Sequence, residues 1–119
     1  MALRIVLIDD DDDARELLAM LLGADGHQVV EERDGRAGLE RVRRDGPDVV
    51  LVDLQLPELS GLEVAKALRE DGSTTHLVAL TGRAQESDRV ATAEAGFDHH
   101  VTKPVDLAAL RAHLREVAS

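Results

Sequence analysis

Asp48-Val49-Val50-Leu51-Val52-Asp53 is an unbroken apolar run closed at each end by a carboxylate. It is too short for a buried helix and shows no polar alternation, so it reads as a strand covered on both faces. Gly46-Pro47 stops whatever precedes it. Two further runs of the same kind lie on either side. Arg4–Asp9 carries Val6-Leu7-Ile8 into Asp9-Asp10, and His76–Thr81 carries Leu77-Val78-Ala79-Leu80 into Thr81. Shorter strands are expected over His27–Glu32 and His99–Thr102, the last running on into Lys103-Pro104.

Helical patterns fill the intervals. Asp12–Ala24 places Ala14, Leu17, Leu18 and Leu21 at the spacing of one helix face, and its leading acids suit a helix N-terminus. Arg36–Asp45 carries a thin stripe of Ala37, Leu39 and Val42. After the loop Leu56-Pro57-Glu58-Leu59-Ser60-Gly61, with Ser60 as N-cap, a third helix presents Leu62, Ala65 and Leu68 and ends near Gly72. Gln85–Ala95 is a helix of small residues closed by Gly96. Asp106 caps a fifth, with Leu107, Leu110, Leu114 and Val117 on one face. Strands alternating with helices imply right-handed βαβ units and a parallel sheet between two helical layers. Five units predict a doubly wound sheet in the order 2-1-3-4-5.

The 119 residues suit one domain, spanning 1–119, with one core. Phe97 is the only aromatic residue, so that core is aliphatic. With 14 basic and 24 acidic residues the net charge is −10, which disfavours direct binding to nucleic acid or insertion into an anionic membrane. Cysteine is absent, which excludes thiol catalysis and zinc–thiolate sites. No segment approaches the roughly 20 apolar residues of a membrane span, and the opening run is too short for a signal peptide. The expected location is the cytoplasm.

In such a sheet the carboxyl ends of the strands share one edge, where ligands bind. Asp9, Asp10, Asp53, Thr81 and Lys103 would meet there. Two carboxylates about 4 Å apart repel by about 4 kcal/mol at an effective dielectric of 20, a cost that a cation offsets. Oxygen ligands without His or Cys favour Mg²⁺, Mn²⁺ or Ca²⁺, and the spacing is not that of an EF-hand. Asp10 is the better direct ligand, with Asp9 acting through water. Asp53 reads either as the cap of the next loop or as a nucleophile able to attack phosphorus. Lys103, next to a proline that fixes the backbone, would point its ammonium into the acidic cluster. Thr81 could donate its hydroxyl to a phosphoryl oxygen, or serve only as a β-former. Among the histidines, His99 and His100 point to opposite faces of one strand, and His27, His76 and His113 lack partners at useful spacing.

These segments, together and in this order, resemble the receiver domain of response regulators, the phosphoacceptor module of two-component signalling. The resemblance rests on Val6-Leu7-Ile8-Asp9-Asp10, Asp48 through Pro57, Ser60-Gly61, Leu80-Thr81-Gly82 and Lys103-Pro104, and covers nearly the whole chain. It implies the flavodoxin-like (βα)5 three-layer sandwich. It implies that Asp53 accepts a phosphoryl group from a phosphohistidine on a histidine kinase or histidine phosphotransfer protein. Asp10, Asp53 and the backbone carbonyl of Gln55 would bind Mg²⁺, with Mn²⁺ as an alternative and Asp9 acting through water. Lys103 would grip the phosphoryl group, across a cis bond to Pro104. Thr81 and His100 would form the switch, His100 standing where the family more often has Tyr or Phe. Gln55 and Arg83 would tune phosphate lifetime. The downstream partner would dock on the fourth helix, fifth strand and fifth helix.

Two rivals are a metal-dependent phosphatase with an Asp nucleophile and an interaction module that is never phosphorylated. Position 55 is Gln where such phosphatases typically carry a second Asp, and the full set of polar residues argues against the inert module. The stretch Gly96 to His100 followed by Lys103-Pro104-Val105 also looks like receivers attached to hybrid sensor kinases. A stand-alone regulator and a module of a longer chain are both compatible with the sequence.

Overall fold

The apolar runs are strands, and their side chains divide by parity between two cores. The computed structural model describes residues 2–82 and 86–119. In it the strands β1 (Arg4–Ile8), β2 (Gln28–Glu32), β3 (Val49–Asp53), β4 (His76–Thr81) and β5 (His99–Thr102) form one parallel sheet ordered β2-β1-β3-β4-β5. The helices between them are α1 (Asp12–Ala24), α2 (Gly35–Asp45), α3 (Gly61–Glu70), α4 (Glu86–Ala95) and α5 (Leu107–Ala118). This is the flavodoxin-like doubly wound order expected from the sequence.

Successive residues of a strand face opposite sides. Ile5, Leu7, Val49, Leu51, Val78 and Leu80 therefore pack with Leu18 and Leu22 of α1 and Leu110 and Leu114 of α5. Val6, Ile8, Val50, Val52 and Leu77 pack on the other side, with Leu39 and Val42 of α2 and Val64, Ala65 and Leu68 of α3. Each fully buried aliphatic side chain contributes about 1.5–3 kcal/mol over its exposed state. The continuous apolar runs are the sequence record of this two-sided burial.

Helix ends follow local chemistry. Asp11, Asp34, Ser60 and Asp106 accept hydrogen bonds from the first turns of α1, α2, α3 and α5. Ser60 and Glu63 form a reciprocal capping box. Gly96 closes α4 with a positive φ of 102°, as its position suggested.

The face of α1 differs from the expected one. Leu18 is buried, but Leu17 is 54 % exposed, and Leu22 and Arg15 occupy the inward positions instead. The cause is polar. The Arg15 guanidinium turns inward to donate to the Asp9 carbonyl at 3.0 Å, and to carboxylate oxygens of Asp12 and Glu31 at 2.8 and 3.1 Å. β1 stops at Ile8 rather than Asp9; the Asp9 N–H still donates to the Glu32 carbonyl of β2 at 3.1 Å, while its own carbonyl accepts from Arg15. Among the described residues no helix is long and apolar enough to cross a membrane.

Candidate functional site

Strand register sets the site. Ile8 pairs with Val52, so Asp9 and Asp53 leave the sheet at the same level. By parity both continue the side of the sheet that carries Leu7 and Leu51. Thr81 pairs with Thr102, which puts Lys103 one step beyond. Carboxylate oxygens of Asp9, Asp10 and Asp53 lie within 4.8 Å of one another. Asp9 is buried and Asp10 exposed, so the cluster is rooted in the sheet and open to solvent on the Asp10 side.

Lys103 closes the cluster from the β5 edge of the sheet. Its ammonium donates to Asp53 Oδ2 at 2.7 Å and to Asp9 Oδ2 at 3.0 Å. The Lys103–Pro104 peptide is cis, and the Lys103 N–H donates to the Thr81 carbonyl at 2.6 Å. Burial opposes the Lys103 charge, but hydrogen bonds and attraction from Asp53 and Asp9 outweigh it, holding the ammonium above the ordinary lysine range. The other oxygens are also engaged. Asp9 Oδ1 accepts from Asp11 N–H at 3.0 Å, and Asp53 Oδ1 from Gln55 N–H at 2.9 Å. Three carboxylates against one ammonium leave an excess of negative charge. Hard oxygen donors with no nitrogen or sulfur among them fit Mg²⁺ or Mn²⁺.

The loop after β3 must pass close to the site, and Gly61 permits it. A Cβ at Gly61 would stand 2.4 Å from the Asp53 carbonyl oxygen and 2.8 Å from Leu54 Cα, both backbone atoms. Gly61→Ala is expected to cost about 2 kcal/mol of stability and to shift the loop that carries Gln55. Urea unfolding measures the first effect, and an unchanged midpoint would contradict it.

Thr81 is buried at the end of β4. His100 pairs with Ala79, and both of its ring nitrogens are buried without a hydrogen-bond partner among the described residues. Next to it a groove of about 350 Å³ is lined by Thr92, Ala93 and Phe97. A buried, unpaired ring N–H costs roughly 1–3 kcal/mol. His100→Phe is therefore expected to stabilise the fold by about 1 kcal/mol. A lowered melting temperature would contradict this account. Arg83 lies outside the described residues.

Arg15 is the residue that sequence reasoning missed. It holds the Asp9 carbonyl from beneath and so fixes where the β1 carboxylates emerge. The only signal was its position three residues after Asp12, the spacing of a helical ion pair. The histidines were also misjudged: His76, His99 and His113 come together at the opposite end of the sheet.

Comparison with known proteins bears on this arrangement. The family model described as "Response regulator receiver domain" matches residues 5–115. Response regulator MprA of Mycolicibacterium vanbaalenii is 40% identical over 115 residues, covering 97% of this chain and 50% of that protein. Transcriptional regulatory protein CseB of Streptomyces coelicolor is 41% identical over 113 residues, covering 95% of this chain and 48% of that one. The chain thus spans about half the length of these curated relatives. Among solved structures, the signal receiver domain of the putative response regulator NarL from Mycobacterium tuberculosis superposes with a TM-score of 0.91 at 26% identity. That match covers 99% of this chain and 98% of the other. A Francisella response regulator receiver domain reaches a TM-score of 0.92 at 21% identity, covering 97% and 95%, a likeness of fold.

Proposed function

The chain belongs to the response regulator receiver domain family of two-component signalling, and on that premise we propose that Asp53 is its phosphoacceptor. The observation that carries this reading is the Lys103 ammonium held between Asp53 and Asp9, with Asp10 close by. A carboxylate with a cation fixed at 2.7 Å can bind an incoming phosphoryl group without waiting for the site to reorganise.

In this reading a phosphohistidine of a histidine kinase or histidine phosphotransfer protein docks at the carboxyl edge. An Asp53 oxygen attacks phosphorus, the P–N bond breaks, and an acyl phosphate forms on Asp53. Asp10, Asp53 and the Gln55 carbonyl would hold Mg²⁺ directly, with Asp9 acting through water; Mn²⁺ is an alternative. The ion would supply charge neutralisation for the carboxylates and the phosphoryl oxygens. Lys103 transfers its contact from the carboxylate to a phosphoryl oxygen. Thr81 moves toward another and draws its loop with it. His100, its ring already inside, follows that loop, and the surface of α4, β5 and α5 shifts its population toward the form a downstream protein binds. The chain acts on its own phosphorylation and dephosphorylation, as a cytoplasmic module with no separate substrate.

In this reading Gln55 and Arg83 tune the phosphate lifetime, Arg83 lying outside the described residues. Gln55→Ala is expected to change the dephosphorylation half-time severalfold while leaving the melting temperature nearly fixed. A half-time equal to that of the wild type would remove Gln55 from the role.

Incubation with a phosphoramidate donor and Mg²⁺, followed by intact-mass measurement, tests the whole proposal. A receiver gains one acid-labile phosphoryl group, and loses that gain when EDTA replaces the ion. Continuous release of phosphate without accumulation would favour the phosphatase. No modification under any condition would favour the inert interaction module.

A further inference from the structure

The amino end of the sheet carries a second constellation of a different chemistry. His76 opens β4, His99 opens β5, and His113 lies on α5. His99 pairs with Val78, so His76 and His99 project from the same face, the one α5 covers. His76 Nε2 and His113 Nε2 stand 2.8 Å apart, and the His99 ring stacks on His113 at 3.7 Å between centroids. On the other side of His76, its Nδ1 is 3.6 Å from Asp98 Oδ2. That carboxylate is itself fixed, accepting from Arg69 Nη2 at 2.9 Å and from Leu77 N–H at 2.8 Å.

We propose that His76 and His113 form a chelating site for a late first-row divalent cation, with Zn²⁺ as the reference ion. Asp98 orients His76 within it, and His99 is the shelf that holds the His113 ring. Asp98 Oδ2, 3.6 Å from Nδ1 and so beyond hydrogen-bond reach, acts through its charge, which favours the tautomer that keeps the hydrogen at Nδ1 and leaves the Nε2 lone pair facing the partner ring. The short contact is then a hydrogen bond from His113 Nε2–H to His76 Nε2. When a cation enters, His113 moves its hydrogen to Nδ1 and both Nε2 atoms become ligands. Ligand distances of 2.0–2.1 Å at a tetrahedral ion put the two nitrogens ~3.3 Å apart, about half an ångström wider than they stand now. Water completes the shell, since the His76 side chain is 24% exposed.

Burial first pushes His99 and His113 below the ordinary histidine range, helped by His113 beside His99 and by His76 beside His113; His76 is lowered by burial against the pull of Asp98. Neutral imidazole is the form that binds metal. Glu116 of α5 adds negative charge on the side of His99 and His113, and Arg69 opposes it near His76. Imidazole nitrogen selects Zn²⁺, Ni²⁺ or Cu²⁺ over Mg²⁺, whereas the all-oxygen carboxylate cluster suits Mg²⁺ or Mn²⁺. The two sites lie at opposite ends of the strands, roughly 16 Å apart for five residues of rise. Occupancy would tie α5 to β4, across a surface separate from the acidic cluster.

The test is a Zn²⁺ titration of the whole chain in excess Mg²⁺, followed by calorimetry and by imidazole ¹⁵N resonances. The expected result is saturable binding that moves the Nε2 signals of His76 and His113. His113→Phe and His76→Phe keep a ring in place and are expected to weaken binding about tenfold or more. Affinity unchanged in both variants would overturn the site. So would a wild-type titration in which those two nitrogens stay still, and that measurement needs no variant to fold.

Discussion

Asp53→Asn is expected to reduce phosphoryl labelling to background, a loss on the order of a hundredfold or more, because an amide offers phosphorus no nucleophilic oxygen. The substitution is nearly isosteric. Its single carbonyl oxygen can accept from Gln55 N–H or from the Lys103 ammonium but cannot match both contacts of the carboxylate. Removing one charge from three crowded carboxylates offsets that loss, so stability should change by less than about 1 kcal/mol. Labelling and unfolding measured on one preparation separate chemistry from folding. Wild-type labelling in the folded variant would show that another residue accepts the phosphoryl group.

Lys103→Met is the second large effect, and its sign depends on the ion. Without Mg²⁺, Asp9 and Asp53 lose their shared charge-assisted donor. Both side chains are well buried, at 4% and 13% exposure, so water restores little of what is lost. The expected cost is about 2 kcal/mol, measured by urea unfolding in EDTA. With Mg²⁺ present the carboxylates no longer share themselves between ion and ammonium, and the apparent Mg²⁺ affinity should rise about fivefold. Labelling should nevertheless slow by roughly tenfold or more, since the phosphoryl oxygens lose a preorganised cation. Equal stability in EDTA together with wild-type labelling would contradict the role given to Lys103.

Much of this site could be read from the sequence because polar residues end the apolar runs. Val6 to Ile8 and Val49 to Val52 are continuous since both sheet faces are covered, and the first residues past them necessarily share the carboxyl edge. That logic places Asp9, Asp53, Thr81 and Lys103 without knowledge of any side-chain contact. It fails where a polar residue takes an apolar role. Arg15 stands inward on α1 because its guanidinium finds Asp9, Asp12 and Glu31, and an apolar periodicity does not register an arginine. It fails also for groups joined only by tertiary packing. His76 and His113 are 37 residues apart, and their meeting depends on how α5 rotates on the sheet. Gly61 belongs to the same class, since its lack of a side chain matters only once the Asp53 carbonyl lies against it.

The acceptor can be located directly. The chain is treated with a phosphoramidate donor and Mg²⁺, reduced with borohydride, which converts an aspartyl phosphate to homoserine, and mapped by peptide mass spectrometry. Conversion is expected at position 53, dependent on both donor and ion. Conversion at a different carboxylate, or an intact Asp53 in a phosphorylated chain, would contradict it.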